Sequence, residues 1–142
     1  MIKIKTTFLD TINYEEIDNS KVISLFQNLN LKDLAYSNTG YFQYEISDES
    51  DVILHFSIMD LENISLRYDE NIPDRRNGLS WYSVNQTKQF KNIIDVGEEN
   101  YIPNNSLLSP TKVISVIDEF FNAPLKKPMA INWKNSEDFD WE

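Results

Sequence analysis

The side chains in this sequence that could carry chemistry are almost all carboxylates: 23 Asp and Glu stand against 13 Lys and Arg, one His and no Cys. Without cysteine there is neither a disulfide framework nor a thiolate zinc site, and a single imidazole limits histidine ligation. Any metal chemistry would be all-oxygen, and neither a metal nor a cofactor is expected. The three glycines build no phosphate-cradling loop, no serine stands in a G-x-S-x-G elbow, and no His-Glu helix motif occurs. Two carboxylates facing each other across a cleft remain the one hydrolytic arrangement the composition permits, and no pair stands out. His55, between Leu54 and Phe56, takes the polar parity of an alternating run. A surface or hydrogen-bonded role suits it better than that of a catalytic base. No catalytic residue is assigned, and the chain reads as a non-enzyme.

The formal charge of -10 points to binding instead. Such a field repels nucleic acid and anionic membrane and attracts a basic partner. The candidate contacts are Asp69, Glu70 and Asp74, in a loop expected to protrude from Asp69 to Gly78, together with Glu98 and Glu99 in a weakly patterned segment. Tyr82, expected near that loop, would add an aromatic anchor. Arg75 and Arg76 beside Asp74 suit local ion pairs, and most other acidic turns serve solubility. Trp81 and Trp133 lie on alternating runs and are expected in the core, so they are left out of the site. Trp141 sits among Glu137, Asp138, Asp140 and Glu142, in a tail that reads either as solvated or as a docking peptide.

A chain of 142 residues with 41% hydrophobic side chains fits one domain, residues 1–134, followed by an acidic tail, residues 135–142. Ile2, Ile4 and Phe8 share one parity, as in a strand with one buried face. Asp18-Asn19-Ser20 offers helix caps before Val22, Ile23, Phe26 and Leu29, spaced for one side of a short helix. Between Tyr41 and Tyr68 three alternating runs, broken by polar turns, predict an antiparallel meander. Asn77-Gly78 is a turn signal before a further run, Leu79 to Val84. Ile93, Ile94 and Val96 suggest a strand among loops. Ser109 then caps a helix with Pro110 at its first position, and Val113, Ile114, Ile117, Phe120 and Phe121 form its apolar stripe. Pro124 stops it. Met129, Ile131 and Trp133 alternate as a last strand. The sum is an α+β fold: a mainly antiparallel twisted sheet with about two helices packed on it. The alternating start is no signal peptide, and no run reaches the roughly 18 apolar residues of a membrane span, so a cytoplasmic location is expected.

The order of parts from Leu79 to Trp133 resembles immunity protein family one of bacterial polymorphic toxin systems. The resemblance is carried by Leu79-Ser80-Trp81, Pro103, Ser109-Pro110, Ile114, Ile117, Phe120-Phe121, Pro128 and Trp133. Asn122-Ala123 stands where that family often has glycine, and Pro124 is additional. The resemblance implies stoichiometric neutralisation of a cognate toxin, commonly a nuclease or a nucleic-acid deaminase, inside the producing cell. The charge is compatible, because toxins acting on nucleic acid line their grooves with Lys and Arg. The alternative is an acidic adaptor or nucleic-acid mimic that inhibits a host or phage DNA-binding protein. A hydrolase using unidentified carboxylates is the third and weakest reading.

Overall fold

Alternation becomes a sheet over most of the chain, of which the computed structural model describes residues 2–73 and 79–139. Strands β1 (Ile4–Phe8) and β2 (Ile12–Glu16) form a hairpin, followed by helix α1 (Asn19–Gln27) and a 3-10 turn (Leu31–Leu34). Strands β3 (Thr39–Ser47), β4 (Ser50–Asp60) and β5 (Asn63–Asn71) are the expected meander, and β6 (Leu79–Val84), the further run, extends it by one strand. Next come a hairpin of β7 (Ile93–Asp95) and β8 (Tyr101–Pro103), the short β9 (Leu107–Leu108), helix α2 (Pro110–Asn122) and β10 (Asn132–Asn135). The main sheet runs β10-β6-β5-β4-β3-β1-β2, entirely antiparallel, with β9 joined to β5 beside that path. The architecture is α+β.

Both helices begin as their residues dictate. Asp18 accepts the Lys21 N–H at 2.9 Å and Ser109 accepts that of Lys112 at 3.3 Å, each satisfying a donor that the first helical turn leaves unpaired. The helices cover one sheet face. Val22 and Phe26 of α1, with Val113, Val116, Ile117 and Phe120 of α2, pack on Phe42, Leu54, Phe56, Ile58, Leu66 and Tyr68. Phe56 lies at the centre, with ring centroids 5.1 Å from Phe26 and 5.6 Å from Phe42. It fits because Gly40, its cross-strand neighbour, has no side chain. A Cβ at Gly40 would run into the Thr7 carbonyl and the Phe56 ring. Trp81 and Trp133 border the same core, half-buried around Tyr68, whose hydroxyl donates to the Pro124 carbonyl at 2.8 Å.

The outer edge of β5 is divided. Its residues Arg67 to Glu70 pair with β6, while Ile64 and Ser65 pair with β9. At the junction Ser83 Oγ accepts the Leu66 N–H at 3.0 Å and donates to the Ser106 carbonyl at 2.6 Å. Ser106 Oγ donates to the Pro103 carbonyl, so the 2.7 Å contact with Ser65 Oγ takes its proton from Ser65. The Ser83 and Ser106 hydroxyls thereby satisfy buried backbone groups, while that of Ser65 is satisfied by Ser106.

The structure corrects several boundaries. Asp69 and Glu70 belong to β5, so the expected loop from Asp69 begins later, after Asn71. Met129 is in no strand and is 73% exposed. Its N–H donates to the Glu119 carboxylate, and Trp133 Nε1 donates to the Pro128 carbonyl, so the chain turns here and β10 starts at Asn132. Nor does the chain from residue 135 begin as a free tail: Asn135 ends β10, Ser136–Asp138 form a 3-10 turn and Phe139 is buried. Strand β2, unforeseen, has almost no apolar alternation, because at the sheet edge all but Ile12 is exposed.

Phe120→Ala should lower unfolding stability by roughly 3 to 5 kcal/mol in denaturant titration, since the ring is fully buried. Gly40→Ala should cost about 1 to 3 kcal/mol or more through overpacking, with altered near-ultraviolet dichroism from the displaced Phe56.

Candidate functional site

The sheet face away from the helices carries the polar parity of every strand. Cross-strand register places Tyr41, His55, Arg67 and Tyr82 in one row, and Gln43, Ile53, Asp69 and Ser80 in the next. Asp69 ties these rows together. His55 Nε2 donates to Asp69 Oδ2 at 3.0 Å, Arg67 Nε donates to Oδ1 at 3.0 Å, and Arg67 Nη2 donates to Oδ2 at 3.1 Å. The Ser80 hydroxyl adds a further hydrogen bond. Burial opposes the negative charge of Asp69, whose side chain is 13% exposed, but the hydrogen bond from His55 and the Arg67 charge outweigh it. The carboxyl titrates below the ordinary aspartate range as a result. Burial likewise opposes the Arg67 charge, and Asp69 with the Tyr82 hydroxyl raises its pKa on balance. A second carboxylate on this face, Asp51, accepts from the Gln43 and Asn71 amides at 2.6 and 2.7 Å.

One end of the face is closed by a small second core. Tyr82, Ile102, Leu107 and Phe139 are buried there, with Phe90, Ile94 and Val96 against them. The rest stays open as a cleft of about 740 Å³ floored by Tyr41, His55 and Arg67. Its walls are the segment 34–38 and the turn that joins β7 to β8. That turn has unusual geometry: Asn100 N–H donates to the Gly97 carbonyl at 3.0 Å, and Glu98 and Glu99 between them have φ of 51° and 64°. Two positive φ values define a type I′ turn, which favours Asn-Gly and strains a pair of glutamates. Side-chain amides hold the turn in place. Asn38 Nδ2 donates to the Val96 carbonyl at 2.8 Å and to the Ile58 carbonyl at 3.0 Å, and Asn100 Nδ2 donates to Ser57 Oγ at 2.8 Å.

The residues expected to touch a partner are therefore dispersed. Asp69 is withdrawn into its network with His55 and Arg67, and Glu70 is half-buried in β5 and engaged in contacts of its own. Tyr82 is 7% exposed and cannot serve as a surface anchor, because the hairpin and Phe139 cover it. Asp74 lies outside the described residues, as do Arg75, Arg76 and Trp141. Glu98 and Glu99 remain exposed, Glu98 lining the cleft and Glu99 next to it in the turn. Tyr36, 87% exposed in the facing wall, escaped the sequence reading because it lies in no periodic run. His55 has the hydrogen-bonded role expected of it. Among the described residues no three His, Asp or Glu side chains converge as metal ligands, and no helix is long and apolar enough to cross a membrane.

No family model, curated protein or solved structure matches this chain.

Because the folded-state pKa of Asp69 is depressed, its stabilising contribution is present above the ordinary aspartate range and disappears as pH falls through the folded value. Asp69→Asn should remove about 1 to 3 kcal/mol at neutral pH and flatten the acid limb of the stability profile, followed by urea titration at a series of pH values.

Proposed function

We propose that this protein is an immunity protein that binds a cognate bacterial toxin, a nuclease or nucleic-acid deaminase, and neutralises it by occluding its active site or substrate groove. The observation that carries this reading is the Glu98-Glu99 turn. Two adjacent carboxylates are held in left-handed backbone conformations, of a kind that costs of order 1 to 3 kcal/mol per residue, at an exposed tip anchored by two asparagines. Among the described residues neither glutamate has a basic partner, whereas Asp69 is engaged by Arg67 and His55. Charge fixed in this way is suited to a Lys- and Arg-lined groove. It attracts that groove at long range, and its anchored backbone loses little entropy on docking. The formal charge of -10 adds to the steering, and the resemblance across Leu79 to Trp133 points to the same class of partner.

Co-expression with the toxic domain encoded beside its gene is the direct test. Restored growth and a purified one-to-one complex are expected; undiminished toxicity with no complex would exclude the reading. Protection against an unrelated DNA-binding protein alone would favour a nucleic-acid mimic. In that complex, Glu98→Gln with Glu99→Gln should slow association by roughly three- to tenfold at low salt, the difference shrinking as salt rises. A rate insensitive to both substitutions and to salt would remove the turn from the interface.

A further inference from the structure

The cleft beside the Glu98-Glu99 turn has features of a receptor for one kind of side chain. We propose that it takes an arginine of the partner, whose guanidinium stacks on Tyr36 and pairs with Glu98; this rests on the reading of the protein as a toxin-binding immunity protein. Tyr36 is the most exposed of the large hydrophobic side chains among the described residues, and a phenol ring at a cleft wall is a ready platform for a planar cation. Glu98 lines the same cleft and offers two acceptor oxygens, the arrangement a guanidinium fork fits.

The floor adds a third acceptor. His55 Nε2 donates to Asp69, so in the neutral imidazole Nδ1 carries a lone pair, and no group among the described residues hydrogen-bonds to it. Arg67 at the floor does not repel a cation as a bare charge would, because Asp69 engages it through two guanidinium nitrogens. An anionic guest would meet Glu98 unscreened and an acceptor at His55. A purely apolar guest would leave both unpaired. Arginine is favoured over lysine because stacking and the two-pronged pairing both need a planar fork. The cleft is also preformed: Asn38 and Asn100 tie its turn wall to β4, which reduces the ordering left for the partner to impose.

Two experiments decide this. In the first, the full chain is titrated with N-acetyl-arginine methylamide and, separately, with the neutral N-acetyl-citrulline methylamide, followed by backbone amide NMR. Saturable shifts centred on Tyr36, His55 and Glu98, at least threefold weaker with citrulline, are expected; shifts that fail to saturate, fall elsewhere or ignore the charge overturn the proposal. In the second, the complex with the adjacent toxic domain is measured for Tyr36→Ala and, as a control outside the cleft, for Tyr101→Ala, which is half exposed on β8. A loss of roughly tenfold in affinity for the first and less than twofold for the second is expected. Equal affinities would overturn the arginine cleft while leaving the immunity reading standing. Absence of any complex would sink the immunity reading, and the arginine titration would then decide the cleft by itself.

Discussion

Two short helices, of nine and thirteen residues, cover one face of a sheet whose central strands run to eleven residues. That mismatch governs the molecule. The helix-covered face can be mostly apolar, and it is: Phe42, Leu54, Phe56, Leu66 and Tyr68 are sealed beneath α1 and α2, with Thr6 buried beside Phe42. The opposite face has no helix layer, so period-two alternation delivers to it the side chains that cannot enter the core. It is closed piecewise. A small apolar cluster around Tyr82 and Phe139 covers one end, and two carboxylates with neutral or cationic partners knit the strands elsewhere. What remains uncovered is the cleft.

The divided edge of β5 connects this frame to the site. Because β9 occupies the edge beside Ile64 and Ser65, the chain leading into it, including the β7–β8 hairpin, is brought over the polar face instead of extending away from the sheet. The buried hydroxyls of Ser65, Ser83 and Ser106 make that junction affordable by satisfying groups that would otherwise be orphaned. The hairpin tip then rests where Asn38 and Asn100 can bind it, and their hydrogen bonds help to offset the strain of two left-handed glutamates. Strain, charge and position thus coincide at one turn.

Several features could be read along the chain because they depend on neighbours a few residues away. The caps at Asp18 and Ser109, the stripe of α2 and the meander from β3 to β6 all arise from local spacing. The site was less legible. Asp69 and Glu70 looked like loop residues because Pro73 and Asn77-Gly78 follow closely, yet pairing with β4 extends β5 to Asn71. Nothing near Asp69 in sequence announces His55 as a partner, since the contact spans two strands. Tyr82 has a strand's alternation, but alternation does not say which parity meets water when both faces are partly covered. Tyr36 belongs to no repeat that would mark it.

Composition and periodicity determine on their own that this chain is an acidic α+β domain, with an antiparallel sheet and two amphipathic helices, because charge balance and the periods of strand and helix are local properties. Tertiary structure alone decided which carboxylates stay available. Asp69 was drawn into a network with His55 and Arg67, whereas Glu98 and Glu99 were left exposed in a hydrogen-bonded turn, although all three are carboxylates in sequence. The physical reason is that a carboxylate's role depends on the cations and donors within hydrogen-bonding reach, and strand register, not sequence distance, sets that neighbourhood.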